Sequence, residues 1–426
     1  MSKPKQGPGA RAVLRHRNFA LLWSGQTVSL AGNGAFMVAL PLEVLHLTGS
    51  PFELALIISS QTISMVILLL IGGALTDRLS RRLVMLISDT VCGVSVSFMA
   101  VLIAVREARL WELLVLSIIF GAVNAFFRPA STAIVRDIVP SELLVSASSL
   151  SSLSQSLAQL LLGPLFGGIV VAASGTAWAF ALDGASFAVS AACLAAMRNI
   201  SELKGATSSR LLAGVAEGLR FCYSQRWLAC SITMIAVINL VCFVPFFILG
   251  TLLVKNIFHA GPIALGALYA GSGVGGVIAS LVAARRGSPL RRVATIWTAW
   301  AVSGICAASV GLSPWLWMSV MLAGMMWGLG TYGNILWFPL IQKETPPELL
   351  GRVSSVDWLF SFALSPLGAL AAGAAVEGIG VRLTLIAGGV ITAAAGWILF
   401  IPGVMDPDKQ GMKDPPEMAA GVAPER

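Results

Sequence analysis

Four carboxylates stand inside stretches that are otherwise apolar: Glu43, Asp89, Asp183 and Asp357. An acid in such surroundings can do what one on a wet loop cannot. Burial raises a carboxylate's pKa and a nearby arginine lowers it, so a suitable balance lets the group load and release a proton near neutral pH. A proton moving inward is worth about 2.3 kcal/mol per charge for each 100 mV, and a carboxylate of this kind can couple that to another movement. Other chemistry is poorly supplied. His16, His46 and His259 are isolated, so no histidine and acid cluster is available for catalysis. Cys92, Cys193, Cys222, Cys230, Cys242 and Cys306 show no CxxC spacing, which argues against a metal site or a disulfide framework. Gly271, Gly273 and Gly276 spell GxGxxG with no strand before them, and close helix packing accounts for them better than a dinucleotide. No Walker A sequence is present, which argues against an ATP-driven pump.

The elements that must position the acids are membrane helices. Hydrophobic residues make up 57% of the 426 and charged residues 11%, with a mean hydropathy of +0.85; a water-soluble domain of this length would not tolerate that. The net charge of +8 is scattered among short loops, as membrane orientation requires, and does not point to nucleic acid. The first apolar segment is too long for the core of a cleavable signal peptide. Spans are expected from Phe19 to Leu45 and over 54–75, 83–105, 110–128, 143–172, 177–197, 227–254, 262–284, 293–311, 314–340, 353–376 and 383–401, twelve in all. With both ends in the cytoplasm, only Arg106, Arg109, Lys255 and Arg382 of the 28 Lys and Arg face outward. An odd number of spans would scramble that division.

The chain divides into a basic tail (1–18), a first six-helix bundle (19–197), a cytoplasmic linker (198–226), a second six-helix bundle (227–405) and a polar tail (406–426) expected to be disordered. Within the linker, LLAGVAEGLRFCYSQRW has apolar residues at helical spacing and predicts a helix lying on the cytoplasmic face. An internal repeat supports the division. PSELLVSASSL from Pro140 aligns with PPELLGRVSSV from Pro346, Gly163, Pro164 and Leu165 answer Ser365, Pro366 and Leu367, and Arg81 and Arg82 answer Arg291 and Arg292. Two pseudo-symmetric halves follow, as in transporters that bind substrate between them near the midplane. The second basic loop has Gly287 where Asp77 would be, so the halves are chemically unequal.

The first basic loop, GALTDRLSRRL from Gly73 to Leu83, resembles the loop between helices 2 and 3 of major facilitator superfamily transporters, with Ser80 where that pattern usually has glycine. Further stretches extend the likeness over most of the chain: ALPLEVLHLTGS from Ala39, FFRPASTAIVRDIVP from Phe126, ALDGASF from Ala181, AEGLRF, and LLGRVSS from Leu349. Together they look like the branch containing macrolide exporters, enterobactin exporters and multidrug efflux proteins. Gly163, Pro164, Gly167 and Gly168 match the core GPxxGG of a motif that in this superfamily accompanies antiport, with Gln159 at one of its upstream glycine positions.

The resemblance implies the major facilitator fold and a conformational latch made by Gly73, Asp77, Arg78, Arg81, Arg82, Asp137, Arg128 and Asp357. Asp77 would dock near the start of helix 11, where Asp357 points to gating, and Arg78 or Arg81 would meet an acid at the end of helix 4, for which Asp137 is the candidate. Arg128, at the cytoplasmic end of helix 4, would need its planar fork. Asp89, about two turns past Arg81 and Arg82, reads as a partner of the basic loop. Helix 1 lines the cavity in this fold and helix 6 packs peripherally, which ranks Glu43 first and Asp183 second as carriers of the coupling proton. Polar side chains in apolar spans usually face a bundle interior, which nominates Gln26, Asn33, Gln61, Asn124, Gln155, Gln159, Asn239 and Asn334 for the cavity. The function implied is proton-driven export of small amphipathic molecules such as drugs, macrolides or siderophores, without a cofactor, by a monomer in the lipid of a bacterial cell membrane. A lysophospholipid flippase or a polar-solute importer of the same fold is the alternative.

Overall fold

Backbone amides in an apolar medium have no water to bond, so each long apolar run must satisfy them within itself, which a helix does. The computed structural model describes residues 10–76, 80–140, 143–198, 211–286, 289–346, 349–405 and 407, and is helical without a strand among them. In chain order the helices are α1 (Ala10–Leu14), α2 (Arg17–Leu47), α3 (Pro51–Thr76), α4 (Arg81–Ala104), α5 (Leu110–Ile138), α6 (Leu144–Ser154), α7 (Gly163–Ser174), α8 (Thr176–Ala196), α9 (Leu211–Ser224), α10 (Arg226–Ile238), α11 (Val244–Leu252), α12 (Pro262–Arg286), α13 (Arg292–Leu312), α14 (Leu316–Glu344), α15 (Leu350–Ala363) and α16 (Ser365–Ala394). Ten helical segments among the described residues are long and apolar enough to cross a membrane. The chain is a multi-pass membrane protein.

Prolines shape these helices where they bend. A proline cannot donate to the carbonyl four residues back and its ring crowds that oxygen, so the preceding turn must widen or break. Wider π turns precede Pro164 over Gln155–Leu162 and Pro245 over Asn239–Phe243, and the helix breaks at Leu364 ahead of Pro366. At Gly175 the chain turns from α7 into α8 with φ +87°, a backbone conformation that glycine adopts without a Cβ clash.

Helices from the first half of the chain pack as α2 on α8, α4 on α8 and α3 on α5, while α12 packs on α14, and α13 on α14 and α16. Stacked Phe36 and Phe120, 5.1 Å between centroids, fill the first group, and Trp297, Trp300, Trp227 and Trp337 fill the second. The two groups meet along α3 with α16 and along α7 with α12. Helix α9 packs on α15 and α10, held by an ion pair from Arg352 to Glu217 and by Gly218, whose missing Cβ would lie 2.8 Å from the Arg352 carbonyl oxygen.

Two expectations change. The basic tail is not wholly separate, because α1 seats Val13 beside Phe19, Val139 and Leu150, all buried. An apolar pair, Val13 and Leu14, among basic residues is enough to dock it. Helix α5 does not stop at residue 128 but continues to Ile138, so Arg128 is inside a helix and not at its end. Arg128, Arg136 and Asp137 all lie on this one continuous helix.

Candidate transport site

Ser80 opens α4 by accepting the Leu83 amide at 3.4 Å. That start aims the two arginines in different directions. Arg81 grips Asp137 at the end of α5 with one guanidinium nitrogen, 2.7 Å from Oδ1 and 2.6 Å from Oδ2. The Asp137 side chain has no exposed surface and that of Arg81 is 20% exposed. Arg82 donates from Nε to the Leu194 carbonyl and from Nη2 to the Ala195 carbonyl, both at 2.7 Å, satisfying acceptors that the end of α8 leaves open. Gly73 lies in the last turn of α3, whereas Asp77 and Arg78 lie outside the described residues.

The four acids go to four different environments. Glu43 is buried near the end of α2 and accepts a hydrogen bond from the Thr176 hydroxyl in the first turn of α8, where a helix N-terminus favours negative charge. Asp183 is fully buried, and one of its carboxylate oxygens has no hydrogen-bond partner. It nests against Gly32 of α2, where a Cβ would come within 2.7 Å of its Oδ1. Asp89 is also buried with one oxygen unpartnered. Its pairing with the basic loop is not what the structure shows, since Arg81 takes Asp137 and Arg82 takes the α8 carbonyls. Asp357 is buried and accepts Trp337 Nε1 at 3.2 Å. It therefore turns into the second helix group, while Asp77, expected to dock near it, lies outside the described residues; one residue on, Trp358 lines a cleft with α3 and α5.

The GPxxGG residues are points of near contact. A Cβ at Gly163 would lie 2.7 Å from Gly34 Cα, one at Gly167 2.4 Å from Ala35 Cα, and one at Gly168 2.7 Å from the Pro262 carbonyl oxygen. With Pro164 they hold α7 against α2 on one side and α12 on the other. On the parallel seam, Ser59 of α3 donates to the Pro366 carbonyl at 3.0 Å, and Lys255 donates to the Leu45 carbonyl at 3.0 Å.

Of the polar residues nominated for a cavity, the structure places Asn124 in one. Asn124 and Arg128 of α5, Met65 and Val66 of α3, and Trp358 and Phe362 of α15 line a cleft with about 410 Å³ of empty space. Gln26 and Asn33 of α2 each keep a buried polar atom without a partner. Asn239 donates to the Ser361 carbonyl at 3.1 Å and so ties two helices of one group. The Gln61 carbonyl meets Gly121 between α3 and α5, Gln159 sits against Gly34 through its backbone, and Gln155 and Asn334 are exposed outside the cleft. Trp358 and Phe362 were missed by sequence reasoning; their spacing of one helical turn inside an apolar span was the available signal.

The architecture is similar to that of nucleoside transporter NupG, with a TM-score of 0.69 over 90% of this chain and 98% of that one at 14% identity. It is also similar to a bacterial homologue of ferroportin, with a TM-score of 0.67 over 89% and 98% at 16% identity. The two-group helix packing is the fold that these solved structures share. Residues 9–425 match the family model described as transmembrane secretion effector. The chain belongs to that family of the major facilitator superfamily. Among curated proteins it is similar to the multidrug efflux pump Tap of Mycolicibacterium fortuitum, 27% identical over 96% of this chain and 99% of that one, and to the enterobactin exporter EntS of Shigella flexneri, 24% identical over 92% and 91%.

Proposed function

We propose that this chain exports small amphipathic molecules by alternating access, driven by an inward proton gradient and without a bound cofactor. The observation that carries the reading is that two kinds of exporter, Tap and EntS, align with nearly its whole length. The geometry suits the mechanism. Seams α3–α16 and α7–α12 join the helix groups, and a cleft at Arg128 is lined by α3, α5 and α15.

Twelve crossings in two six-helix bundles fit this reading. The segment Arg352–Phe400 has 49 residues and a non-helical Gly380, φ 81° and ψ 165°; at about 1.5 Å per residue it is more than twice the roughly 30 Å needed to cross. Helix α14, with 29 residues, is also long enough. The seams support pseudo-symmetry, because Pro164 and Pro366, paired in the sequence repeat, each present a carbonyl to the opposite group, the first against Gly266 and the second to Ser59. The basic loops at Arg81, Arg82, Arg291 and Arg292 support a reading with both ends in the cytoplasm of a bacterial cell.

Glu43 and Asp183 are the proposed proton carriers, since each is a buried acid with no cation paired to it among the described residues. In proteoliposomes carrying the purified protein, N-phenyl-1-naphthylamine is expected to move uphill only while a proton gradient is present, and Glu43→Gln or Asp183→Asn is expected to suppress proton release on dye addition. Uphill movement that survives a protonophore overturns the coupling. Normal proton release by both variants overturns the assignment of the acids. Unchanged dye movement together with inward transfer of labelled lysolipid overturns export.

A further inference from the structure

Arg128 lines an apolar cleft and has no counter-ion among the described residues. It stands ten residues before the end of α5 at Ile138, about 15 Å along the helix axis, and its side chain is exposed to the cleft rather than packed. Among the described residues no carboxylate lies within ion-pair distance of it: Asp137 is taken by Arg81 and Glu217 by Arg352. The walls offer no negative charge, because Met65, Val66, Trp358 and Phe362 are apolar, and Asn124 is neutral and already donates to the Phe120 carbonyl at 2.8 Å.

Opposite the guanidinium is a flat aromatic surface. Trp358 stacks with Phe362, centroids 5.3 Å and planes 21° apart, and with Phe338 at 6.5 Å and 28°. Trp358 keeps 42% of its surface exposed. A planar fork of five N–H donors recognises a carboxylate, sulfonate or phosphate through two parallel bonds, and does so most strongly where water is scarce. An aromatic wall beside it accepts a ring or an acyl chain.

We propose that the cleft between α3, α5 and α15 binds amphiphiles that carry an anionic head, with Arg128 selecting the charge and Trp358 and Phe362 holding the apolar body. This rests on the transport reading above and narrows its substrate class. The step involves no bond making. An anion entering the cleft supplies a counter-ion that no described residue gives Arg128, whereas a neutral or cationic analogue does not.

The test uses two probes with one ring framework, 8-anilino-1-naphthalenesulfonate, which is anionic, and N-phenyl-1-naphthylamine, which is neutral. Binding to the purified full chain is read from tryptophan quenching, with protein-free micelles subtracted. Wild type is expected to bind the sulfonate about tenfold more tightly than the amine, the order of one charge-assisted bidentate contact. Arg128→Gln is expected to remove that preference while changing amine binding less than about twofold, Arg128→Lys to keep part of it, and Trp358→Ala to weaken both probes alike. Retained amine binding by Arg128→Gln shows that the site is still folded. Equal loss of both probes in Arg128→Gln overturns the proposal, as does an unchanged preference for the sulfonate. Selective binding without movement across the membrane overturns the export reading and leaves this site standing; movement of both probes without any dependence on Arg128 does the reverse.

Discussion

Gly266→Leu is expected to slow transport roughly tenfold or more while the protein remains folded in detergent. A Cβ at this position would lie 2.4 Å from the Pro164 carbonyl oxygen and 3.3 Å from Gly168 Cα. Both are backbone atoms, so no rotamer change relieves the clash and α7 and α12 must separate. Overpacking of this kind costs about 1–3 kcal/mol, and it falls on the seam between the two helix groups rather than within either. The conformation with this seam closed is therefore penalised directly. A cost of that size corresponds to a transport rate lower by roughly tenfold or more. Gly261→Ala is the control, because a Cβ there has no neighbour within 4 Å and should leave the rate unchanged. Dye transport in proteoliposomes at equal protein density decides the matter, and a wild-type rate for Gly266→Leu would show that the seam stays closed or plays no part in the cycle.

Arg81→Ala is the second large effect expected, this time on stability. Asp137 has no exposed side-chain surface and is gripped through both oxygens by Arg81. Removing the arginine leaves a buried carboxylate without its cation, a change that costs about 3–5 kcal/mol in buried pairs. Part of that loss belongs to the stranded acid and not to the pair itself. The double variant Arg81→Ala with Asp137→Ala is accordingly expected to be more stable than Arg81→Ala alone. Thermal unfolding of the purified single and double variants forms the cycle. Additive losses would mean that the two charges do not depend on one another, and the grip would then be incidental to folding.

Much of the architecture was legible because the bilayer imposes simple rules. Uninterrupted apolar runs gave the helices, and Arg81, Arg82, Arg291 and Arg292 marked the loops between them. The contact of Arg81 with Asp137 was also within reach, since the resemblance named an acid at that helix end. What was not legible depends on which way a side chain turns. Asp357 and Trp358 are adjacent, so about 100° of helix rotation separates them, and hydropathy does not say which of the two meets the opposite group. Arg128 was misplaced for a related reason. A charge in an apolar run looks like the end of a helix, whereas here the helix runs on past it to Ile138. The basic residues around Asp89 suggested a partner that the end of α8 had already claimed through its carbonyls.

The glycine contacts between α7 and α12 also bear on speed. Burying a long side chain forfeits up to about 2 kcal/mol of rotamer freedom, whereas glycine, alanine and proline forfeit none. Gly168, Gly266 and Pro164 meet backbone to backbone, so separating and rejoining them releases and recaptures almost no side-chain disorder. A seam of leucines would hold tightly and then have to reassemble its rotamers at each closure. This one can part and close with little side-chain entropy changing hands, so under the proposed alternating access that term does not weigh against either form.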